Sequence, residues 1–176
     1  MIWFTSDTHF GSKRTLLLSK RPFSSVKEMD ETMIKNWNAL VKENDTVFHL
    51  GDFGDLEVAK KLNGHIEFIK GNYEKTIDET SLLSAFKSVS LYKSLSVGGL
   101  TLMMVHEPLK ANTFPVKSDF TLFGHIHNLQ KVKRDGLNVS MDAHHFRPIN
   151  VEDVIFYKNA IMTHYDENVF CDKLYK

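Results

Sequence analysis

The sequence has little of several features that would indicate a particular class of protein. It contains one cysteine, Cys171, so no intramolecular disulfide can form, and this usage fits a reducing compartment. Its 22 basic and 22 acidic residues cancel, and no block of like charge occurs. Duplex DNA as an obligatory partner is therefore disfavoured, and so is an anionic membrane surface.

Long apolar stretches are also absent. The apolar start of the sequence turns polar at Thr5, which is too short for the core of a signal peptide. No other stretch approaches the roughly 20 residues that a membrane helix needs. There is no repeat, low-complexity segment or linker, so we expect one cytoplasmic domain over residues 1–176, with no membrane partner.

Short apolar segments alternate with amphipathic ones, which predicts parallel strands joined by covering helices. For the first half we expect strands at residues 2–5, 46–50 and 66–69, and helices at 26–41 and 56–62. Ser25 and Glu28 form a capping box for the first of these helices.

The second half predicts antiparallel pairing. We expect a hairpin from residue 89 to 105 across Gly98-Gly99, a strand at 120–123, and a second hairpin that pairs 129–132 with 137–141. A helix over 151–162, capped by Asn150, completes the prediction. The fold class is therefore α/β with antiparallel content.

Polar side chains follow the ends of several predicted strands. They are Asp7, His9, Asp52, Asn72, His106, His125 and His127. In an extended segment, Asp7 and His9 would point to one side and could bind one cation together. In open α/β sheets, ligands bind at the carboxyl ends of the strands, where these residues are expected.

This set of side chains favours a two-metal hydrolytic centre. Imidazole mixed with carboxylate suits first-row cations, and the two oxygens of Asp52 could bridge a pair of them. Two such ions can generate hydroxide at neutral pH and stabilise an in-line displacement at phosphorus. Each residue alone is weak evidence for a metal site. The alternative interpretation is that these are polar residues that only terminate the strands. Their order and common placement favour the metal centre.

The same residues resemble the motifs of the calcineurin-like metallophosphoesterases. The family pattern is D-x-H, G-D, G-N-H-D or G-N-H-E, a single histidine and G-H-x-H, and the match covers residues 7 to 127. The resemblance implies a four-layer α-β-β-α sandwich with two mixed β-sheets and no cap domain. It also implies two divalent ions, of manganese, iron, zinc or nickel, with manganese favoured. One would be held by Asp7, His9, Asp52 and His127, and the other by Asp52, Asn72, His106 and His125.

One position departs from the family pattern. Tyr73 stands where the family usually has the histidine that protonates the leaving group or contacts its phosphate. Tyrosine, with a pKa near 10, is a hydrogen-bond donor but a poorer acid than imidazolium. We predict that Tyr73 bonds a phosphoryl oxygen and that phosphodiesters or phosphoanhydrides with good leaving groups are preferred. The alternative is an exposed tyrosine without a role.

Further candidates are weaker. Lys13 and Arg14, in a loop after the first motif, could bind substrate phosphate or could simply be solvated. His144 and His145, expected to end a strand beside Asp142, could serve a third metal or orient a ligand.

The predicted reaction is hydrolysis of a small-molecule phosphodiester by a metal-bridging hydroxide, with Asn72 and His106 contributing to catalysis. A phosphodiester is favoured over a monoester, whose two charges usually need additional cationic donors. Two other functions remain open. One is an inactive scaffold that binds a partner protein on the same fold. The other is a single-strand nuclease, which the zero net charge disfavours. The physiological substrate and the oligomeric state are not fixed by the sequence.

Overall fold

The computed structural model describes residues 1–164, so Cys171 lies outside the described residues. The first sheet has the strand order β10-β1-β2-β3-β4. Its strands are β1 (Ile2–Thr5), β2 (Thr46–His49), β3 (His65–Ile69), β4 (Ser88–Ser90) and β10 (Ile149–Asn150). β1 to β4 are parallel, and β10 pairs antiparallel with β1.

The second sheet has the order β5-β6-β7-β9-β8. Its strands are β5 (Tyr92–Val97), β6 (Leu100–Val105), β7 (Phe120–Phe123), β8 (Val132–Lys133) and β9 (Gly136–Asn138). The central strands β6, β7 and β9 are parallel, whereas β5 and β8 are antiparallel edge strands. The two mixed sheets expected from the resemblance are confirmed.

In the part of the chain that the structure describes, four α-helices accompany the sheets: α1 (Lys13–Leu18), α2 (Val26–Leu40), α3 (Glu79–Ala85) and α4 (Val151–His164). The hydroxyl of Ser25 caps α2 by accepting a hydrogen bond of 3.1 Å from the Glu28 amide, as predicted. The Glu28 carboxylate reaches back to the amide and hydroxyl of Ser24 instead of Ser25. Within the described residues, no helix is long and apolar enough to cross a bilayer.

The layers are held together by three groups of apolar side chains. On the helix side of the first sheet, Met29, Met33 and Trp37 of α2 are buried in one cluster with residues of β1, β2 and β3. The facing sides of the two sheets form a second cluster, which α4 joins through Val154 and Ile161. The outer side of the second sheet is covered by a short 3-10 helix, Pro108–Thr113, and the segment after it.

Several local predictions are wrong. The first hairpin is confirmed for β5 and β6, which pair antiparallel across Gly98-Gly99, but it begins at Tyr92, and Val89 belongs to β4 in the first sheet. The second hairpin is displaced: Leu129 is 84% exposed and only Val132–Lys133 pair with β9. The helix expected at 56–62 is a 3-10 helix, Leu56–Lys61. The elements α1, α3 and β10 were not predicted.

Candidate metal centre

All seven side chains proposed from the sequence converge at the carboxyl ends of the strands. They form two groups of possible metal ligands, Asp7 with His9 and His127, and Asp52 with His106 and His125. Within each group the ligand atoms lie no more than 4.8 Å apart. The amide oxygen of Asn72 joins the second group, at 2.9 Å from His125 Nδ1 and 3.0 Å from His106 Nε2.

The carboxylate of Asp52 lies between the two groups. Its Oδ2 is 3.6 Å from His9 Nε2 in the first group, and its Oδ1 is 3.5 Å from His106 Nε2 in the second. Each oxygen therefore faces a different group, which is the arrangement that a bridging carboxylate requires.

Five of the seven residues have a left-handed backbone conformation. The φ angles are 56° at Asp7, 50° at His9, 58° at Asp52, 71° at His125 and 50° at His127. Such angles cost about 1–3 kcal/mol each and persist only where the surroundings fix them, typically at functional sites. The expectation that Asp7 and His9 continue an extended strand is therefore wrong.

Hydrogen bonds between neighbouring loops hold Asp7 and His9 in these conformations. The amides of Asp7 and His9 donate to the carbonyl oxygens of Gly51 and Asp52, each at 3.0 Å. The loops after β1 and β2 thus remain paired beyond the ends of their strands. This pairing brings the first metal motif against the second.

Glycine at positions 51 and 71 allows the next loop to approach closely. A Cβ on Gly51 would lie 2.5 Å from Gly71 Cα, and φ at Gly51 is 87°. A Cβ on Gly71 would overlap the Asp52 carboxylate. Only glycine permits this approach, which brings Asn72 and Asp52 into the same centre.

Glu74 holds the backbone around Asp52 in place. This buried carboxylate accepts hydrogen bonds from the amides of Asp52 and Phe53, both at 3.0 Å, and of Gly71 at 2.8 Å. One side chain therefore fixes the ends of both β2 and β3. Glu74 stands at the acidic position of the third motif, and no role was predicted for it from the sequence.

Arg21 and Asp142 form a buried pair behind the first group. Arg21 donates to both carboxylate oxygens of Asp142, at 2.9 and 2.8 Å, and to the carbonyl oxygens of Asp7 and Thr8 at 2.6 and 2.8 Å. Asp142 Oδ2 lies 2.8 Å from His127 Nδ1. Arg21 had no assigned role in the sequence analysis, because nothing local links it to a residue 121 positions away.

Burial sets the protonation of the central residues. It lowers the pKa of His9 to about 3, so this imidazole is neutral at pH 7. It raises the pKa of Asp52 to about 6, which leaves the carboxylate mostly ionised. Burial alone would raise the pKa of Asp142, but hydrogen bonds from His127 and Arg21 outweigh it and hold this pKa well below its ordinary value.

The residues present fit a metal ion. His9 Nε2 is buried without a hydrogen-bond partner among the described residues, and it faces carboxylate oxygens of Asp7 and Asp52. A buried nitrogen left unpaired is costly, and a cation would satisfy it. Neutral imidazole with carboxylate is a donor set that first-row divalent cations accept.

Comparison with known proteins agrees with this arrangement. A family model for the calcineurin-like phosphoesterase superfamily domain matches residues 1–146. The chain belongs to the calcineurin-like phosphoesterase superfamily. Members of the superfamily use divalent metals. Membership of this chain therefore supports metal-dependent phosphoester hydrolysis as its general type of reaction.

Individual relatives show how far along the chain the similarity extends. An uncharacterized protein of Methanocaldococcus jannaschii is 30% identical over 169 residues, which cover 88% of this chain and 89% of the relative. The structure of a protein of unknown function from Aquifex aeolicus has a TM-score of 0.73 at 22% identity and covers 89% of this chain and 98% of its own. The structure of an archaeal phosphodiesterase has a TM-score of 0.50 at 22% identity, and the similarity covers 79% of this chain and 81% of the phosphodiesterase. These two structures support the shared fold.

Tyr73, which replaces the usual histidine of the superfamily, lies at the mouth of the centre. Its side chain is 41% exposed and its ring packs edge-on against His9, with 4.7 Å between ring centroids. Its amide donates to Asp52 Oδ1 at 3.0 Å. Its hydroxyl accepts a hydrogen bond of 2.6 Å from Arg14 Nη1.

Lys13 and Arg14, the two residues proposed to bind substrate, are placed differently relative to the centre. Both lie on α1 and not in a loop as expected. Arg14 reaches Tyr73 and lines a cavity beside His125 and His127. Lys13 is exposed and does not line that cavity.

His144 and His145 do not join the centre. They follow a 3-10 helix, Met141–Ala143, and so do not end a strand as predicted. His144 is buried with Nε2 at 2.7 Å from the carbonyl oxygen of Asn138, and burial lowers its pKa to about 4. Neither belongs to the two groups found in the described residues. The neighbouring residue that does contact a candidate ligand is Asp142.

Proposed function

We propose that this protein is a dinuclear metal-dependent phosphodiesterase acting on small molecules. The observation that supports it most strongly is the position of Asp52, whose two carboxylate oxygens face different groups of possible ligands. The ions would be held as the resemblance implies. One set is Asp7, His9, Asp52 and His127, and the other is Asp52, Asn72, His106 and His125.

When bound, the two ions would supply a hydroxide nucleophile at neutral pH and stabilise charge on the phosphoryl oxygens. The protein fixes the rings that hold them. His106 Nδ1 lies 2.6 Å from the carbonyl oxygen of Leu50 and His127 Nδ1 lies 2.8 Å from Asp142. In each ring the other nitrogen, Nε2, is thereby left to face the centre, which is how ligating histidines are usually oriented.

Tyr73 and Arg14 would act together on the substrate. Because Arg14 donates to the Tyr73 oxygen, the hydroxyl hydrogen of Tyr73 is free to donate to a phosphoryl oxygen. Asn72 and His106, on the other side of Asp52, would contact the same phosphoryl group. A phenol is a weaker acid than imidazolium, so this arrangement favours substrates whose leaving group departs without strong protonation.

Among the described residues, two cavities adjoin the centre, and a phosphodiester has two ester arms. A cavity of about 280 Å³ meets the centre at His125 and His127 and contains Arg14 and Tyr73. Another, of about 350 Å³, meets it at His106. A monoester would fill only one of them. The pair of cavities therefore favours a diester as the substrate.

The proposal includes manganese as the favoured metal, a single functional domain over residues 1–176 and a cytoplasmic location. These parts follow from the sequence and the resemblance. Metal analysis of protein purified without chelator would identify the ions, and two per chain are expected.

The deciding experiment compares the intact protein with Asp52→Asn in manganese-dependent hydrolysis of bis-p-nitrophenyl phosphate. We expect the substitution to lower kcat by at least about a hundredfold, because it removes the carboxylate that would hold both ions. Asp135→Asn, at an exposed turn, is the matched control and should retain full activity. Equal rates for wild type and Asp52→Asn, or no turnover by either, would support an inactive scaffold.

A further inference from the structure

The cavity at His106 has an excess of positive charge, with three lysines and two glutamates in its lining. Lys70, Lys75 and Lys110 all line it, whereas the cavity on the Tyr73 side contains one cation, Arg14. The chain as a whole has zero net charge. Three lysines around one cavity are therefore a local feature and do not reflect a basic surface.

Two of these lysines are in no close ion pair among the described residues. Lys110 is paired with Glu107 at 2.6 Å. Lys70 and Lys75 form no ion pair within the described residues, although Glu107 and Glu74 line the same cavity. Glu74 is already bonded to three backbone amides. Lys70 and Lys75 are thus available for an anion that enters from outside.

The cavity also has an apolar wall. Val105 is buried there, Phe114 stacks on Tyr92 with 4.3 Å between ring centroids, and Leu91 is 64% exposed. An apolar wall with a few polar groups is typical of sites that bind a small organic ligand. Here the polar groups without an ion-pair partner among the described residues, Lys70 and Lys75, are cations, so a ring system bearing an anionic group is the matching ligand chemistry.

We propose that this cavity binds one arm of the phosphodiester and that this arm carries a second phosphate, held by Lys70 and Lys75. The inference rests on the proposed function and defines its substrate class as a diester with a phosphorylated nucleoside-like arm. In such a dinucleotide, water adds to the bridging phosphorus and the bond to the 3′ oxygen of the phosphorylated nucleoside breaks. The proton goes to that oxygen, and two nucleoside 5′-monophosphates form.

A matched pair of substrates tests the proposal. We would measure kcat/KM for an adenine dinucleotide with and without a phosphate on its 5′ hydroxyl. Charge-assisted hydrogen bonds of this kind correspond to a preference of about tenfold to a hundredfold for the phosphorylated form. The variants are Lys70→Gln, Lys75→Gln and the double substitution, with exposed Lys35→Gln on α2 as the control.

The double variant should lose most of this preference, mainly through a higher KM, and should hydrolyse the unphosphorylated dinucleotide within about twofold of wild type. A second readout avoids catalysis altogether. In excess EDTA, fluorescence anisotropy of the labelled phosphorylated dinucleotide should show weaker binding to the double variant than to Lys35→Gln. Equal binding, or an equal loss on both substrates, would overturn the inference.

The two proposals fail in different ways. If neither dinucleotide nor bis-p-nitrophenyl phosphate is hydrolysed with manganese, the proposed function is wrong. If both dinucleotides are hydrolysed at equal kcat/KM and the lysine substitutions change nothing, only the second-phosphate site is wrong. A strong preference for a long single strand over either dinucleotide would identify a nuclease and overturn the small-molecule assignment.

Discussion

His127 and Asp142 are joined by a hydrogen bond of 2.8 Å from ring nitrogen Nδ1 to carboxylate oxygen Oδ2. The same carboxylate is held by Arg21, which is itself anchored on the carbonyl oxygens of Asp7 and Thr8. The orientation of a candidate ligand in G-H-x-H is thus coupled to the backbone of the D-x-H motif.

We predict that Asp142→Asn lowers metal affinity by about 10–100-fold, the usual effect of losing a partner that orients a ligating histidine. The amide can no longer fix the His127 tautomer, and Arg21 loses its counter-charge. Isothermal titration with manganese would measure the change. Asp119→Asn removes an exposed carboxylate that, among the described residues, bonds only the Thr101 amide, and this variant should bind metal normally. Unchanged affinity in Asp142→Asn would show that His127 is oriented without Asp142.

Glu74 gives a prediction about stability. Glu74→Gln places an amide donor where three backbone amides need acceptors, and an unsatisfied buried donor costs about 1–3 kcal/mol. For a chain of this size, each kcal/mol corresponds to a Tm lower by about 2–4 °C. Thermal unfolding with and without EDTA would measure the loss. It should persist with EDTA, because the bonds are internal to the protein, and exposed Glu43→Gln should leave Tm unchanged.

The elements that were predicted from the sequence have strong local patterns. The apolar spacing of α2 and its cap at Ser25 are encoded within the helix itself, and β1 and β6 each contain at least three consecutive apolar residues. The convergence of the candidate ligands could be predicted too, because carboxyl ends of parallel strands share one edge of a sheet.

Short elements and long-range pairs could not be predicted. Helix α1 has six residues, and Leu17 and Leu18 are exposed, so it has no amphipathic period. Strand β10 pairs only two residues with β1 and exists because of that contact. The left-handed angles at the candidate ligands depend on hydrogen bonds between loops distant in sequence, as between Asp7 and Gly51.

Tyr73 and Arg14 should behave as a unit in catalysis. We expect Tyr73→Phe to reduce kcat/KM more for alkyl than for aryl phosphodiesters, because alkyl leaving groups depend more on a hydrogen-bond donor. Arg14→Gln should cost less in the Tyr73→Phe background than in wild type, with a coupling energy of about 0.5–3 kcal/mol. Lys13→Gln, on the same helix, is the control. Additive effects would mean that Arg14 acts independently of Tyr73, and unchanged turnover of both diesters by Tyr73→Phe would leave the tyrosine without a role.

The hydrogen bonds of Asp45 allow a prediction of how the stability of the fold depends on pH. Hydrogen bonds from the Met1 amino group, the Lys42 amide and the Trp3 indole lower its pKa to about 2. The unfolded chain binds this proton near pH 4, so the ionised carboxylate stabilises the fold above that pH and its contribution disappears as pH falls toward 2. In urea unfolding, Asp45→Asn should therefore be less stable than wild type at pH 7, and the difference should shrink between pH 4 and pH 2. Asp135→Asn, at an exposed turn, should track wild type throughout. A constant difference for Asp45→Asn over this range would mean that side-chain shape at position 45, and not its charge, stabilises the end of β1.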